Sequence, residues 1–360
     1  MSSGLVLSVE TSCDETAVAI VEGGRRIMAN VVASQVALHA ASGGIVPEVA
    51  ARAHLRWMVP VLDEARRRAE LDDMSRLEAV AVTEGPGLAG SLLVGIQMAK
   101  TLAWLHDLPL VPVNHLEGHI YAAWLLDPDE QEKPAPEFPL VALVVSGGHT
   151  FLVEMTDHLT YRLLGQTVDD AAGEAFDKVG RLLGLPYPGG PAIQRAAERA
   201  TACDRVFPRA WLGDTFDFSF SGLKTAARRQ VARELGADPE QGPPNDAPPL
   251  PDASVAELAY GFQESVVEVL AGKTIRAAQE SRARSVILGG GVAANSVLRD
   301  RVAQGARSLG VPLIVPRPGL CTDNAAMIGA AGFQRARAGA RADLGLAARP
   351  SLKLAQPSAA

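Results

Sequence analysis

Apolar and polar positions alternate along LVLSVE, AVAIVEGG and RRIMANVVAS near the start of the chain, with the polar run TSCDET between the first two. Period-two alternation of β-branched residues, broken by turn formers, predicts three successive strands. The pattern returns from residue 140 in LVALVVSGGHTFLVEM and TDHLTYRLLGQTV. Each region is followed by a second shared unit. First, the strand EAVAVTE runs through GPGLAG into the helix SLLVGIQMAKTLAWLHD and the strand LVPVNH. Later, SVILG runs through GGVAAN into the helix SVLRDRVAQGARSLG and the strand VPLIVP. Two copies of one order predict a duplicated α/β architecture, and two similar lobes facing each other make a cleft where ligands usually sit.

The punctuation divides the chain. DPDEQEKPAPEF (127–138) reads as the connection between lobes, giving an N-terminal lobe over 1–133 and a C-terminal lobe over 134–340. LGADPEQGPPNDAPPLPDAS (235–254) is too rich in Pro and Asp to pack and reads as a long exposed loop. Residues 341–360 read as a flexible tail.

Composition narrows the class. The 360 residues are 48% hydrophobic and 21% charged, which allows two core-bearing halves. There is no apolar run of the roughly 20 residues that a membrane span needs, and no secretory leader pattern at the N-terminus. The cysteines, Cys13, Cys203 and Cys321, are far apart and in no metal-ligand spacing, so they read as reduced thiols of a cytosolic protein. A net charge of −7 argues against a protein that holds nucleic acid alone by neutralising phosphates. Local basic clusters remain: Arg66–Arg68, Arg228–Arg229, and the scatter Arg205, Arg209 and Lys224, each of which reads more plainly as a solvated helix face.

Candidate chemistry sits where strands give way to turns. His115 and His119, at i and i+4 in VPVNHLEGHIYAAWLL, share one face of a helix and can share one metal ion. HLEGH is not the zinc-protease motif H-E-x-x-H, because Glu117 stands two positions after His115, about 200° around the helix. Asp323, at the mouth of the helix in GLCTDNAAMIGAAG, is a candidate third ligand; the alternative is that Thr322, Asp323 or Asn324 caps that helix. One oxygen beside two imidazoles suits iron or zinc better than magnesium or calcium.

Three turns follow strands: TSCDET, SGGHT and GGGVAAN. Ser146, Gly147 and Gly148, and likewise Gly289, Gly290 and Gly291, can cradle a phosphate with backbone N–H groups, or simply reverse the chain at positive φ. The G-x-G-x-x-G of Gly85, Gly87 and Gly90 reads as a structural turn. The acid that a dinucleotide site needs, about 20 residues on, is Asp107, which stands before the next strand instead of at its end. TVDDAAGEAFDKVGRLLG (167–184) opens with a capping-box-like Thr167 and Asp170. Glu174 and Asp177 face one way on its helix, and Gly173 leaves room for a ligand. The pair can accept ribose hydroxyls or form a solvated acidic face.

Taken together, ETSCDET (10–16), PGLAGSL (86–92), NHLEGH (114–119), VVSGGHT (144–150), DDAAGEAFDKVGRLLGLPYPGGP (169–191), DFSFSGLKTA (217–226), GGGVAAN (289–295) and CTDNAAM (321–327) resemble the tRNA adenosine threonylcarbamoyltransferase family, once described as O-sialoglycoprotein endopeptidases. These motifs cover nearly the whole chain in order; the stretch near 236–253 is the departure.

The resemblance implies an actin-like ATPase fold of the Hsp70–hexokinase type, with two duplicated ribonuclease H-like lobes. It implies one iron or zinc ion per chain on His115, His119 and Asp323. It also implies a nucleotide-type ligand on Val144, Val145, Ser146, Gly147 and Gly148 with Asp177, Gly190 and Asn295. The donor is threonylcarbamoyl-adenylate, ATP or ADP stays open as a further ligand, and the acceptor is N6 of adenosine 37 in tRNAs reading codons that begin with A. The implied partners are tRNA, a catalytically inactive paralogue of the same fold, a small P-loop ATPase and a separate enzyme that makes the adenylate; no membrane is involved. Asp14, in the first polar turn, is the candidate proton acceptor, ahead of its neighbour Glu15.

Overall fold

The computed structural model describes residues 4–40, 44–131, 133–202, 204–244 and 247–354. Cys203, Asn245 and Asp246 of the Pro-rich loop, and the tail from 355 onward lie outside them. The chain divides into two compact units. The first comprises Met1–Pro136, Asp157–Tyr161 and Pro316–Ala360, and the second Glu137–Thr156 and Arg162–Val315.

The first unit opens with strands β1 (Leu5–Glu10), β2 (Glu15–Glu22) and β3 (Arg26–Ser34) and helices α1 (Val36–Ala40) and α2 (Pro47–Arg68). It continues with β4 (Leu77–Gly85), α3 (Ala89–Leu105), β5 (Leu110–Asn114) and α4 (His115–Tyr121). Its sheet runs β3-β2-β1-β4-β5, with β1 antiparallel to β2 and parallel to β4. Central strand β1 is buried along its whole length, whereas edge strand β3 alternates, as a strand covered on one face must. Leu7, Val9, Ile20, Val80 and Val82 meet Met58 of α2 and Ile96 of α3 in one core.

The second unit contains β6 (Leu140–Val145), β7 (Thr150–Asp157) and β8 (Thr160–Gln166), apart from the Asp157–Tyr161 stretch, with α5 (Ala172–Leu182), α6 (Gly189–Ala197) and α7 (Ser221–Glu234). It adds α8 (Asp252–Glu280), β9 (Ser285–Gly289), α9 (Ser296–Ser308) and β10 (Leu313–Ile314). Its sheet runs β10-β9-β6-β7-β8. β6 is antiparallel to β7 and parallel to β9, so β6, β7, β8, β9 and β10 repeat the places of β1, β2, β3, β4 and β5. Helices α10 (Pro318–Cys321) and α11 (Ala325–Arg337) then belong to the first unit. Among the described residues no helix is long and apolar enough to cross a membrane.

Three expectations need correcting. The boundary set at 340 falls at 315/316, because α11 packs on the first sheet. The segment after 340 is docked as far as residue 354: Ala342 N–H bonds Leu110 O, Arg349 N–H bonds Glu84 O, and Leu352 and Leu354 are buried. Leu352 and Leu354 supply apolar anchors that the segment's overall composition hides. Thr167 and Asp170 do not start a helix: Thr167 Oγ1 donates to Asp170 O, and α5 begins only at Ala172.

The loop between α7 and α8 is tied down in part. Arg229 pairs with Glu240 at 2.8 Å and Arg228 donates to Gln241 O. Arg67 and Arg68 pair with Glu64, Arg205 with Glu234 and Glu257, and Arg209 with Glu268, so most basic clusters are salt-bridged helix faces.

Candidate functional site

β5 ends at Asn114, whose Oδ1 accepts the Leu116 N–H at 2.9 Å and so starts α4 immediately. Helical spacing then turns His115 and His119 to one side, with ring centroids 4.7 Å apart and both rings buried. In the opposing loop the cap falls to one residue. Asn324 caps α11, accepting the Met327 N–H at 3.1 Å. Asp323 is left to face the histidines, its Oδ1 3.5 Å from His115 Nε2 and 3.3 Å from His119 Nε2.

This cluster fits a metal ion. The candidate ligand atoms lie within 4.8 Å of one another. An ion about 2.0–2.2 Å from each donor holds donors roughly 3–3.5 Å apart. His119 is 1% exposed, yet neither of its ring nitrogens makes a hydrogen bond, an expense that a metal bond would remove.

Behind His115 stands Glu10, wholly buried at the end of β1, with Oε2 3.1 Å from His115 Nδ1. Thr83 Oγ1 and the Ser12 N–H both donate to Glu10, and Ser12 Oγ lies 3.2 Å from the same Nδ1. A carboxylate on Nδ1–H fixes the tautomer and turns Nε2 toward Asp323. Sequence reasoning overlooked Glu10 and Ser12. The available signal was a carboxylate closing an otherwise apolar central strand.

The electrostatics agree. Burial pushes His115 down, but the carboxylates of Asp323 and Glu10 outweigh it and raise its pKa to about 9. Burial pushes Glu10 up, but the charge and hydrogen bond of His115 hold it below the ordinary value. Burial, then Asp323 and Asp14, raise Glu15 to about 10. Cys13 is pushed far up by burial and by Asp14, Asp323 and Glu15, so it is an inert thiol. Glu10, Asp14, Glu15 and Asp323 thus crowd one place, a field that a divalent ion would neutralise. Asp14 belongs to this crowd: it is buried in the β1–β2 turn, and its carbonyl accepts the Gln35 N–H.

In the second unit the expected nucleotide residues gather at one end of the sheet. Val144 and Val145 are fully buried at the end of β6. In the following turn Ser146 N–H bonds His149 O, and a Cβ built at Gly147 or Gly148 would meet nothing within 4 Å. Gly290, at φ +84°, lies against Val145: its Cβ would fall 2.4 Å from Val145 O. Gly173 leaves no room for a ligand, contrary to expectation, since the Ser146–Gly147 backbone fills that space. Glu174 and Asp177 part company. Glu174 pairs with Lys178, while Asp177 accepts the Gly189 N–H at 2.7 Å and is pushed up by burial. Gly190 faces open space. Asn295 caps α9 by accepting the Leu298 N–H and donates to Gln263 Oε1, a partner that sequence reasoning missed.

Two discarded motifs have structural uses. Glu117 is buried in a two-pronged bond to Arg335, where it cannot serve as a base. A Cβ at Gly85 would fall 2.0 Å from Arg349 O and one at Gly87 2.5 Å from Ser12 O, so protein backbone fills that turn.

Comparison with known proteins adds the following. The family model described as tRNA N6-adenosine threonylcarbamoyltransferase matches residues 26–330. Proteins of that name include one from Thermomicrobium roseum, 55% identical over 360 residues and 97% of each chain. Another, from Symbiobacterium thermophilum, is 51% identical over 98% of each. A third, from Geobacillus thermodenitrificans, is 50% identical over 97% of this chain and 96% of its own. Among solved structures, HypF of T. kodakarensis aligns with TM-score 0.59 at 13% identity, covering 93% of this chain and 48% of that one. Component A of the Acidaminococcus fermentans (R)-2-hydroxyglutaryl-CoA dehydratase aligns at 0.50 and 15% identity, over 92% and 99%. These two likenesses concern the fold, which is that of the actin-like ATPases.

Proposed function

Because the chain belongs to the tRNA N6-adenosine threonylcarbamoyltransferase family, we propose that it transfers the threonylcarbamoyl group of threonylcarbamoyl-adenylate to N6 of adenosine 37 in tRNAs reading codons that begin with A, and that it does so with a metal ion. The formation of threonylcarbamoyladenosine in tRNA is what the names of its relatives support. The metal requirement rests on one observation: a buried His115–His119 pair facing a half-buried Asp323, with the Glu10 carboxylate braced behind His115.

Iron or zinc bound there supplies Lewis acidity toward the carbamoyl carbonyl and an anchor for the threonyl group. The residues do the rest. Glu10 holds His115 in the Nδ1–H form, with Nε2 available. As N6 of the adenosine bonds to the carbamoyl carbon, the anhydride C–O bond breaks and AMP departs with the electron pair. Asp14 orients the amine and accepts its proton. In the second unit, the backbone N–H groups of Gly147 and Gly148 take up charge on the phosphate, the Ser146 N–H being engaged by His149 O, with Asp177, Gly190 and Asn295 around the nucleoside. ATP or ADP is an alternative occupant of the same turn.

The reaction belongs in the cytoplasm, with tRNA, an inactive paralogue of the same fold, a small P-loop ATPase and an upstream adenylate-forming enzyme as partners. A chain of net charge −7 grips tRNA jointly with a partner, and exposed Lys224 on α7 lies on the proposed tRNA path. Reconstitution with synthetic threonylcarbamoyl-adenylate, tRNA transcript and partners tests this reading. Release of AMP in step with modified nucleoside is expected. A metal-stripped protein that transfers at full rate contradicts the metal requirement, and tRNA binding unchanged by charge reversal at Lys224 and Arg228 contradicts the tRNA path.

A further inference from the structure

All three candidate ligands ride on two helices: His115 and His119 on α4, and Asp323 on the turn that leads into α11. α4 is only seven residues long. A helix of two turns has little stability of its own, so its orientation is set by whatever grips it. At its start the Asn114 side chain caps it and donates to Lys353 O at 3.2 Å. At its middle, Gly118 lies directly on α11: a Cβ there would stand 2.9 Å from Ile328 Cδ1 and 3.0 Å from Met327 Cγ. Beside it, Glu117 takes two bonds from Arg335 of α11, Nε to Oε2 at 2.5 Å and Nη2 to Oε1 at 2.8 Å. Both side chains of this pair are largely shielded from solvent, at 2% and 11% exposure.

A buried ion pair is a poor way to gain stability, since well-packed apolar residues of similar volume often do as well or better. What a two-pronged guanidinium–carboxylate contact adds is geometric definition. Glu117 points about 200° around the helix from His115, so it touches neither ring. It can still set their direction, because rotation of so short a helix moves every side chain on it.

We infer that the Glu117–Arg335 pair is a positioning device for the metal, fixing the rotation of α4 against α11 and hence the separation of the histidine pair from Asp323. This rests on the metal reading above. The required accuracy makes a dedicated brace reasonable. A turn of about 10° moves a ring nitrogen some 6 Å from the helix axis by about 1 Å, several times the roughly 0.2 Å tolerance of metal–ligand distances.

The test reads metal binding directly. Zn2+ affinity is measured by chelator competition, and the visible spectrum of the Co2+-loaded full-length chain reports coordination geometry. The variants are Glu117→Gln/Arg335→Met, which removes both charges of the pair together, Arg335→Lys, which keeps the charge but loses the fork, and Glu117→Asp. The expected result is a double variant whose metal-free thermal midpoint stays near wild type while Zn2+ affinity falls about 10- to 100-fold, the range for partners that orient ligands, with a changed Co2+ spectrum. Arg335→Lys carries the same readout should the double variant not fold, and Glu117→Asp, which can still pair, restores part of the affinity. Wild-type affinity and an unchanged spectrum in Arg335→Lys or the double variant overturn the inference and leave the metal reading intact. A wild-type chain that binds no Zn2+ or Co2+ overturns both.

Discussion

The two sheets carry their strands in the same order, yet their ends are finished differently. In the first unit the turn after β1 carries buried polar groups, Ser12 and Asp14, with Glu10 closing the strand behind them. The matching turn after β6 is Ser146–Gly147–Gly148, with open space above both glycines. After β4, Gly85 and Gly87 are covered by Arg349 and Ser12 backbone, whereas after β9, Gly291 has nothing within 4 Å. On the function proposed above, the filled and charged turns serve a cation and the more open ones an anion.

The comparison breaks most sharply at the histidines. His115→Ala/His119→Ala should abolish metal retention, read by elemental mass spectrometry, while nucleotide binding by the second unit stays at wild-type affinity. Asp14→Asn comes next, with transfer falling about 100- to 10,000-fold, as for loss of a general base, and metal content unchanged. Full transfer in that variant would end the role given to Asp14.

Titration gives a smaller, graded effect. His115 must lose its proton before a metal binds, and its pKa in the metal-free chain is raised to about 9. Zn2+ affinity should therefore climb about tenfold per pH unit between about 7 and about 9 and then level. The sign for stability is opposite. A raised histidine stabilises the metal-free fold fully below its unfolded value of 6.5, and that contribution is lost as pH rises through about 9. A flat metal affinity over that range would contradict the Glu10–His115–Asp323 coupling.

The smallest effect separates the glycines. Gly290→Ala forces a side chain onto Val145 O at φ +84° and should cost about 1–3 kcal/mol in denaturant unfolding. Gly147→Ala projects into open space. It should leave stability alone and weaken nucleotide binding. Equal losses of stability in both would erase the distinction between a structural and a ligand-facing glycine.

Much of this was legible beforehand, for identifiable reasons. The repeated succession of strands and helices followed from alternation and recurring turn chemistry, and the His115–His119 pairing followed from helical spacing. The role of Asp323 stayed open because Thr322, Asp323 and Asn324 all cap helices well, and only coordinates show that Asn324 takes that task. Glu10 and Arg335 were missed because their partners are distant in sequence, 105 positions away for Glu10 and 218 for Arg335. The segment after 340 was misjudged because its anchors are backbone bonds to Leu110 and Glu84 and the apolar contacts of Leu352 and Leu354, which composition does not reveal.

The most direct measurement is nucleoside mass spectrometry of tRNA from cells depleted of this chain and supplied with wild type or with His115→Ala/His119→Ala. Threonylcarbamoyladenosine should disappear on depletion and return only with wild type. Full restoration by the double variant would contradict the metal-dependent transfer proposed here, and an undiminished level after verified depletion would contradict the transfer itself.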